Sequence, residues 1–203
     1  MTDIAYEDEQ SIIYQVSVGN LDNNVYFPVC KKTSNSIIID AADNPELLLK
    51  LSKKLKSTTA VHTHGHWDHV RAIAQLRKAG VKVGIGTKDS SMLEEYDFCI
   101  EDGQELPFGN LILKAIHTPG HTPGSTCYSI PGSSVLFSGD TLFPGGPGAT
   151  HFPGGDFKQI MDSLKNKVFA LFADNTVVLP GHGKATTIGN ERPHLDEWIQ
   201  RGW

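Results

Sequence analysis

The stretch "HTHGHWDH", residues 62–69, places four of the chain's nine histidines in eight positions, with one aspartate among them. Crowding imidazoles is costly for a fold, because each buried ring needs partners for two nitrogens and protonated neighbours repel. A solvated His-rich turn accounts for the density but not for the order. His64, His66, Asp68 and His69 spell H-x-H-x-D-H, a pattern that chance produces in roughly one chain in a thousand of this composition. Residues two apart in extended chain share a face, so His64 and His66 can reach one ion. Asp68 and His69 lie past the turn and can point toward a second.

Outward from the motif, "TTAVHT" (58–63) reads as a strand and "HVRAIAQLRKAG" (69–80) as a helix closed by Gly80. The motif therefore sits in a strand-to-helix turn. Three other residues stand in the same situation. His121 lies in the Gly/Pro turn "TPGHTPGS" after the strand "NLILKAIH" (110–117). Asp140 ends the strand "SVLFSGD" (134–140), and His182 follows "TVVL" in "TVVLPGHG" (176–183). Loops at one sheet edge gather ligands from distant parts of a chain. Five histidines and two aspartates, taken together, match a dinuclear metal site.

The rest of the chain supplies strands and covering helices. "SIIYQVSV" (11–18), "NVYFPVC" (24–30) and "SIIID" (36–40) are β-branched runs, with "GNLDN" as a turn between the first two. "VKVGIG" and "STCYSI" (125–130) are further strands. "NPELLLKLSKKLK" (44–56) has helical spacing, with Asn44 as N-cap and Pro45 at the first helical position. "KDSSMLEEY" and "DFKQIMDSLKNKVFAL" (156–171) also read as helices. In the tail "RPHLDEWIQRGW", Leu195, Trp198 and Ile199 share a helical face and are expected to pack in the core. Strand–helix–strand units on both sides of the midpoint require helices over sheets, so a layered α/β sandwich is expected. The one long irregular segment, 139–156, has the length of a functional loop.

Composition narrows the function classes. With 203 residues, 39% apolar and 20% charged, one soluble domain over 1–203 is expected. A net charge of −5 argues against nucleic-acid and anionic-membrane partners, which select a basic face. No apolar run is long enough to span a membrane. The N-terminus "MTDIAYEDEQ" is acidic where a secretory signal is basic, and Cys30, Cys99 and Cys127 are odd in number and widely spaced. Both features fit a cytoplasmic location.

On these motifs the chain resembles the metallo-β-lactamase superfamily of metallohydrolases over nearly its whole length. The resemblance implies a four-layer αββα sandwich with two divalent metals at one edge of the sheets. It implies that His64, His66 and His121 bind the first metal, that Asp68, His69 and His182 bind the second, and that Asp140 bridges both. The best-known class of true β-lactamases carries Cys where Asp140 stands, which sides this chain with the other hydrolases. "TPGHTPGS", "SGDTLF", "FPGGD" and "PGHGKATTIGNE" resemble the glyoxalase II group, whose members hydrolyse thioesters of small thiols, which implies a small-molecule substrate. Two departures concern the thiol. Glyoxalase II proper adds a glutathione-contacting helical domain, whereas 21 residues follow His182, as in short single-domain relatives. Those relatives often carry Arg-Thr-Asp before "FPGGD", where Ala149, Thr150 and His151 stand here. Thioester hydrolysis with weak dependence on the thiol is therefore expected.

Two divalent ions about 3.5–4 Å apart share a hydroxide and clamp both ends of a displacement. Asp68, a ligand carboxylate beside that hydroxide, is expected to orient it and take its proton. Mixed His/Asp donors favour zinc and admit iron or manganese. His151, Phe143 and Phe152, in the glycine- and proline-rich 143–155 loop, are the candidate substrate contacts. His62 reads as a structural or supporting hydrogen-bond residue, His117 and His194 as ordinary strand and helix residues, and Trp67 as packing beneath the metal loop. The alternatives are a mononuclear iron persulfide dioxygenase using His64, His121 and Asp140, a lactonase, and a catalytically idle metal-binding module.

Overall fold

The computed structural model describes residues 2–202. In chain order its elements begin with strands β1 (Asp3–Glu7), β2 (Ser11–Val18), β3 (Asn23–Cys30) and β4 (Ser36–Ile39). Helix α1 (Pro45–Lys54) leads to β5 (Ser57–His62), then α2 (Trp67–Val70), α3 (Ile73–Lys78), β6 (Lys82–Gly86) and β7 (Phe98–Ile100). The second half contains β8 (Glu105–Phe108), β9 (Leu111–His117), β10 (Thr126–Ser129), β11 (Val135–Gly139) and a small hairpin of β12 (Leu142–Phe143) and β13 (Gly146–Pro147). Helix α4 (Phe157–Ser163), β14 (Val177–Pro180), β15 (Thr186–Thr187), α5 (Ile188–Glu191) and α6 (Leu195–Arg201) complete it. The strands form a seven-stranded sheet in the order β1 to β7 and a six-stranded sheet in the order β15-β14-β11-β10-β9-β8.

Successive side chains on a strand point to opposite faces, and this alternation builds the layers. Ile37 and Ile39 of β4 join Tyr26, Val61, Tyr128, Phe137 and Leu179 in a core between the two sheets. Ile38, between them, turns outward with Phe27 and Ala60 against Leu48 of α1 and Ile73 and Leu76 of α3. In the second sheet Val135 and Phe137 face the shared core while Leu136 packs outward on Ile160, Leu164 and Trp198. Three apolar layers separate four structural ones, the expected αββα sandwich.

The local readings hold in most places and fail where long-range contacts intervene. Helix α1 starts as expected, with Asn44 Oδ1 accepting from the Leu47 amide and Pro45 in the first turn. The helix expected over 69–80 is instead two short ones, because the Ala72 amide leaves the helical ladder and donates to Ala41 O at 2.9 Å. "KDSSMLEEY" forms only a 3₁₀ turn over 87–92 before the chain extends. Strands β1, β7 and β8 have no counterpart in the sequence reading; they are short or half-exposed, so their apolar periodicity is weak. In the tail, Trp198 is buried and Leu195 packs beside it, but Ile199 is 46% exposed and does not join the core stripe. Met1 and Trp203, the ends of the expected domain, lie outside the described residues.

Trp198 is the largest side chain closing the outer core of the second sheet. Trp198→Ala is expected to cost about 3–5 kcal/mol, lowering Tm by about 6–20 °C at this chain length. Thermal unfolding checks it. A loss below about 1 kcal/mol, far under the cost of a large core cavity, would show that α6 lies outside the cooperative core.

Candidate metal centre

Strands β9, β10 and β11 are successively antiparallel and β11 is parallel to β14. β9, β11 and β14 therefore run in one direction, and their C-terminal ends lie along one edge. The loops leaving those ends carry His121, Asp140 and His182. From the other sheet, β5 delivers 64–66 in extended chain and Asp68 and His69 in the first turn of α2. Among the bonds that pin the sheets together here, Thr126 N–H donates to Thr63 O and the Tyr128 hydroxyl donates to His62 O, both at 2.8 Å. Gly181 is required by close approach, since a Cβ there would lie 2.2 Å from Asp140 Oδ1.

The structure brings all seven predicted ligands together. His64, His66 and His121 form one group and Asp68, His69 and His182 another, with the ligand atoms of each group within 4.8 Å of one another. In the second group His69 Nε2 is 3.1 Å from His182 Nε2, and Asp68 Oδ2 is 3.4 and 3.2 Å from them. Asp140 lies between the groups: Oδ1 is 3.5 Å from His69 Nε2, and Oδ2 is 3.6 Å from His121 Nε2 and 3.7 Å from His182 Nε2.

Ring orientation tests whether this set suits a metal. Four rings have an oxygen acceptor at Nδ1: Thr63 Oγ1 for His64 (3.1 Å), Asp40 Oδ2 for His69 (3.0 Å), Ala149 O for His121 (2.7 Å) and Leu21 O for His182 (2.9 Å). Thr63 Oγ1 itself donates to Asp40 Oδ2, so it accepts from His64. Each Nδ1 therefore donates outward and turns Nε2 inward, where it can coordinate an ion once it carries no proton, the arrangement of metal-bound histidine. His64 Nε2, His121 Nε2 and Asp140 Oδ1 are buried without a hydrogen-bond partner. Unpaired buried acceptors are costly, and two divalent cations would satisfy all three. The donor set fits the metal pair.

Electrostatics agree. Burial, reinforced by His69 and His121, holds His64 far below the usual imidazole range. Burial opposes ionisation of Asp68, but its contact with His182, the charge of His69 and the Asn23 amide outweigh it and hold the carboxyl below its usual range. His69 is held well above the usual imidazole range, because Asp140 and Asp40 outweigh its burial. Protons there compete with a metal, so binding would release them.

The remaining predicted residues scatter. The ring of His62 is occupied by the backbone, with Nε2 accepting from Ala41 N–H and Nδ1 facing Gly84 O, both at 3.1 Å. His117 Nε2 donates to Pro123 O, and His194 stacks on Trp198. Trp67 does not pack beneath the loop: it is 62% exposed, with the Arg71 guanidinium over its ring. Phe152 lies edge-on to His66, with centroids 5.6 Å apart, and Phe143 stands 6.4 Å from His182. The two phenyls thus flank opposite ends of the cluster. His151 is exposed and rests on Phe152 at 4.2 Å, outside the ligand group.

Three supporting residues escaped sequence reasoning. Asn23, in the turn read only as "GNLDN", donates from Nδ2 to Asp68 Oδ2 at 2.9 Å. Asp40 accepts from Thr63 N, Thr63 Oγ1 and His69 Nδ1. Asp89 ties the loop at Gly65 to the loop at Thr122 and Gly124. Asp40 had a signal, a carboxylate at a strand end like Asp140; the other two had none.

A sequence profile described as the Metallo-beta-lactamase superfamily matches residues 20–182. The chain belongs to the metallo-beta-lactamase superfamily. Its αββα sandwich is the metallo-beta-lactamase fold. Hydroxyacylglutathione hydrolase GloC of Haemophilus influenzae is 33% identical over 180 residues, 78% of this chain and 84% of that protein. Among solved structures, BLEG-1 B3 metallo-beta-lactamase superposes with a TM-score of 0.82 at 30% identity, covering 90% of this chain and 97% of that one. TTHA1623 in a di-iron-bound form superposes with a TM-score of 0.78 at 32% identity, covering 88% and 96%. Among the described residues, no helix of this superfamily member is long and apolar enough to cross a membrane.

Proposed function

We propose that this chain is a dinuclear metal-dependent hydrolase of glyoxalase II type, cleaving acyl thioesters of small thiols, with residues 1–203 acting as one domain. The observation that carries the reading is the seven-residue cluster, with four Nε2 atoms turned inward around Asp140. The GloC relative supports the thioester specificity.

In this reading His64, His66 and His121 hold the first ion, Asp68, His69 and His182 the second, and Asp140 spans both. When bound, the two ions supply an acidified water and positive charge for the carbonyl oxygen. Asn23 Nδ2 holds Asp68 Oδ2, which orients that carboxylate to accept the proton the attacking water loses. A thiol leaving group, with a pKa of about 8.5, needs little protonation, so a thioester suits this site. Phe143 and Phe152 form apolar walls at the two ends and keep water from the acyl group. Zinc follows from the His/Asp donor chemistry; iron is the second reading, supported by the di-iron-bound neighbour, and manganese suits the same oxygen donors. Cys30, Cys99 and Cys127 are free thiols, which supports the cytoplasm.

The test compares kcat/KM for one acyl group on glutathione, coenzyme A and a simple alkyl thiol. Values within about tenfold of each other are expected, since only the acyl half meets the apolar walls. Combining His151→Ala with Phe152→Ala should lower all three by about 10-fold or more, the size of a lost apolar contact. Strong preference for glutathione, untouched by the loop changes, would place recognition elsewhere. No thioester turnover by metal-loaded protein would remove the thioesterase reading.

A further inference from the structure

Asp89 is fully buried in the 3₁₀ turn after β6 and pairs with no basic side chain among the described residues. Its carboxylate is instead shared between two loops. Oδ2 accepts from Gly65 N–H at 2.9 Å and from the Thr122 hydroxyl at 2.6 Å, and Oδ1 accepts from Gly124 N–H at 2.6 Å. Gly65 stands between His64 and His66, and Thr122 follows His121. The backbone approaches so closely that a Cβ on Gly124 would lie 2.5–2.6 Å from Asp89 atoms. A buried charge without a cationic partner is a poor device for stability alone, because a neutral group of the same shape avoids its desolvation. The strong acceptor does something a neutral group does not: it pulls amides from two sheets onto one point.

We propose that Asp89 is a positioning residue that sets the spacing of His64, His66 and His121 around the first metal, an inference that rests on the dinuclear reading above. Unlike Asp40, which touches His69, Asp89 touches no ligand ring and acts through the Gly65 and Gly124 amides and the Thr122 hydroxyl beside them. In Asp89→Asn the amide NH2 must face the backbone N–H of Gly65 or of Gly124, whichever way the side chain is turned. The clamp then loosens at one loop.

The experiment titrates cobalt(II) into metal-stripped protein carrying His182→Ala, which removes a ligand from the second site and isolates the first. Affinity and the visible ligand-field absorption are read with Asp89 intact, with Asp89→Asn and with Thr122→Ala. Outer partners of metal ligands typically change affinity about 10- to 100-fold. Asp89→Asn should weaken cobalt binding by about that factor and alter the absorption, and Thr122→Ala should do the same to a smaller degree. Unchanged affinity and spectrum in folded Asp89→Asn, even with a lowered Tm, would reduce Asp89 to a structural role and overturn the proposal. Should that variant fail to fold, an unchanged titration for Thr122→Ala overturns it equally. Parent protein that takes up no cobalt sinks the metal-site reading itself, and Asp89's role with it.

Discussion

Asp68→Asn is expected to bind its full complement of metal and yet turn over about 10²-fold or more slowly, a loss of general-base size. The carboxamide keeps one oxygen for the metal and for the Asn23 amide, but it cannot take a proton. Asp68 Oδ2 lies within 3.4 Å of both His69 and His182 Nε2, so some loss of affinity is also expected. Rate and occupancy must therefore be measured together. Complete recovery of rate on adding metal would remove the proton-transfer role and leave Asp68 a ligand only. A rate that stays depressed at full occupancy is the expected result.

Removing the metals should abolish activity and soften the fold. Elemental analysis of protein purified without chelator should give more than one equivalent of metal. Ligands that bind only the native state stabilise it by about 4 kcal/mol at a free concentration 1,000 times Kd, so stripping should lower Tm by about 8–16 °C. The cause is local. Without cations, His64 Nε2, His121 Nε2 and Asp140 Oδ1 are buried without a hydrogen-bond partner, and re-metallation should restore both activity and Tm. A stoichiometry that never exceeds one under metal-replete conditions would instead favour the mononuclear arrangement of His64, His121 and Asp140.

What the sequence determined by itself is whatever covalent spacing encodes. H-x-H-x-D-H works at that range: two residues apart on extended chain for His64 and His66, then a helix start for Asp68 and His69. Strand-end placement identified His121, Asp140 and His182, because a strand followed by a Gly- or Pro-rich turn is a local pattern. The layers were legible too, since alternation along runs such as Ile37, Ile38 and Ile39 needs only the period of a strand. Tertiary structure decided what depends on partners far along the chain. Asn23 meets Asp68 45 residues away, and Asp89 meets Thr122 33 away; neither contact has a spacing rule, because a hydrogen bond depends on where two chains cross. The same physics broke the helix expected over 69–80, where a bond from Ala72 to Ala41 O displaced a helical one. It also left Trp67 and Ile199 in solvent. Local periodicity shows that a residue can face a core, and only the packed neighbours determine whether a core is there.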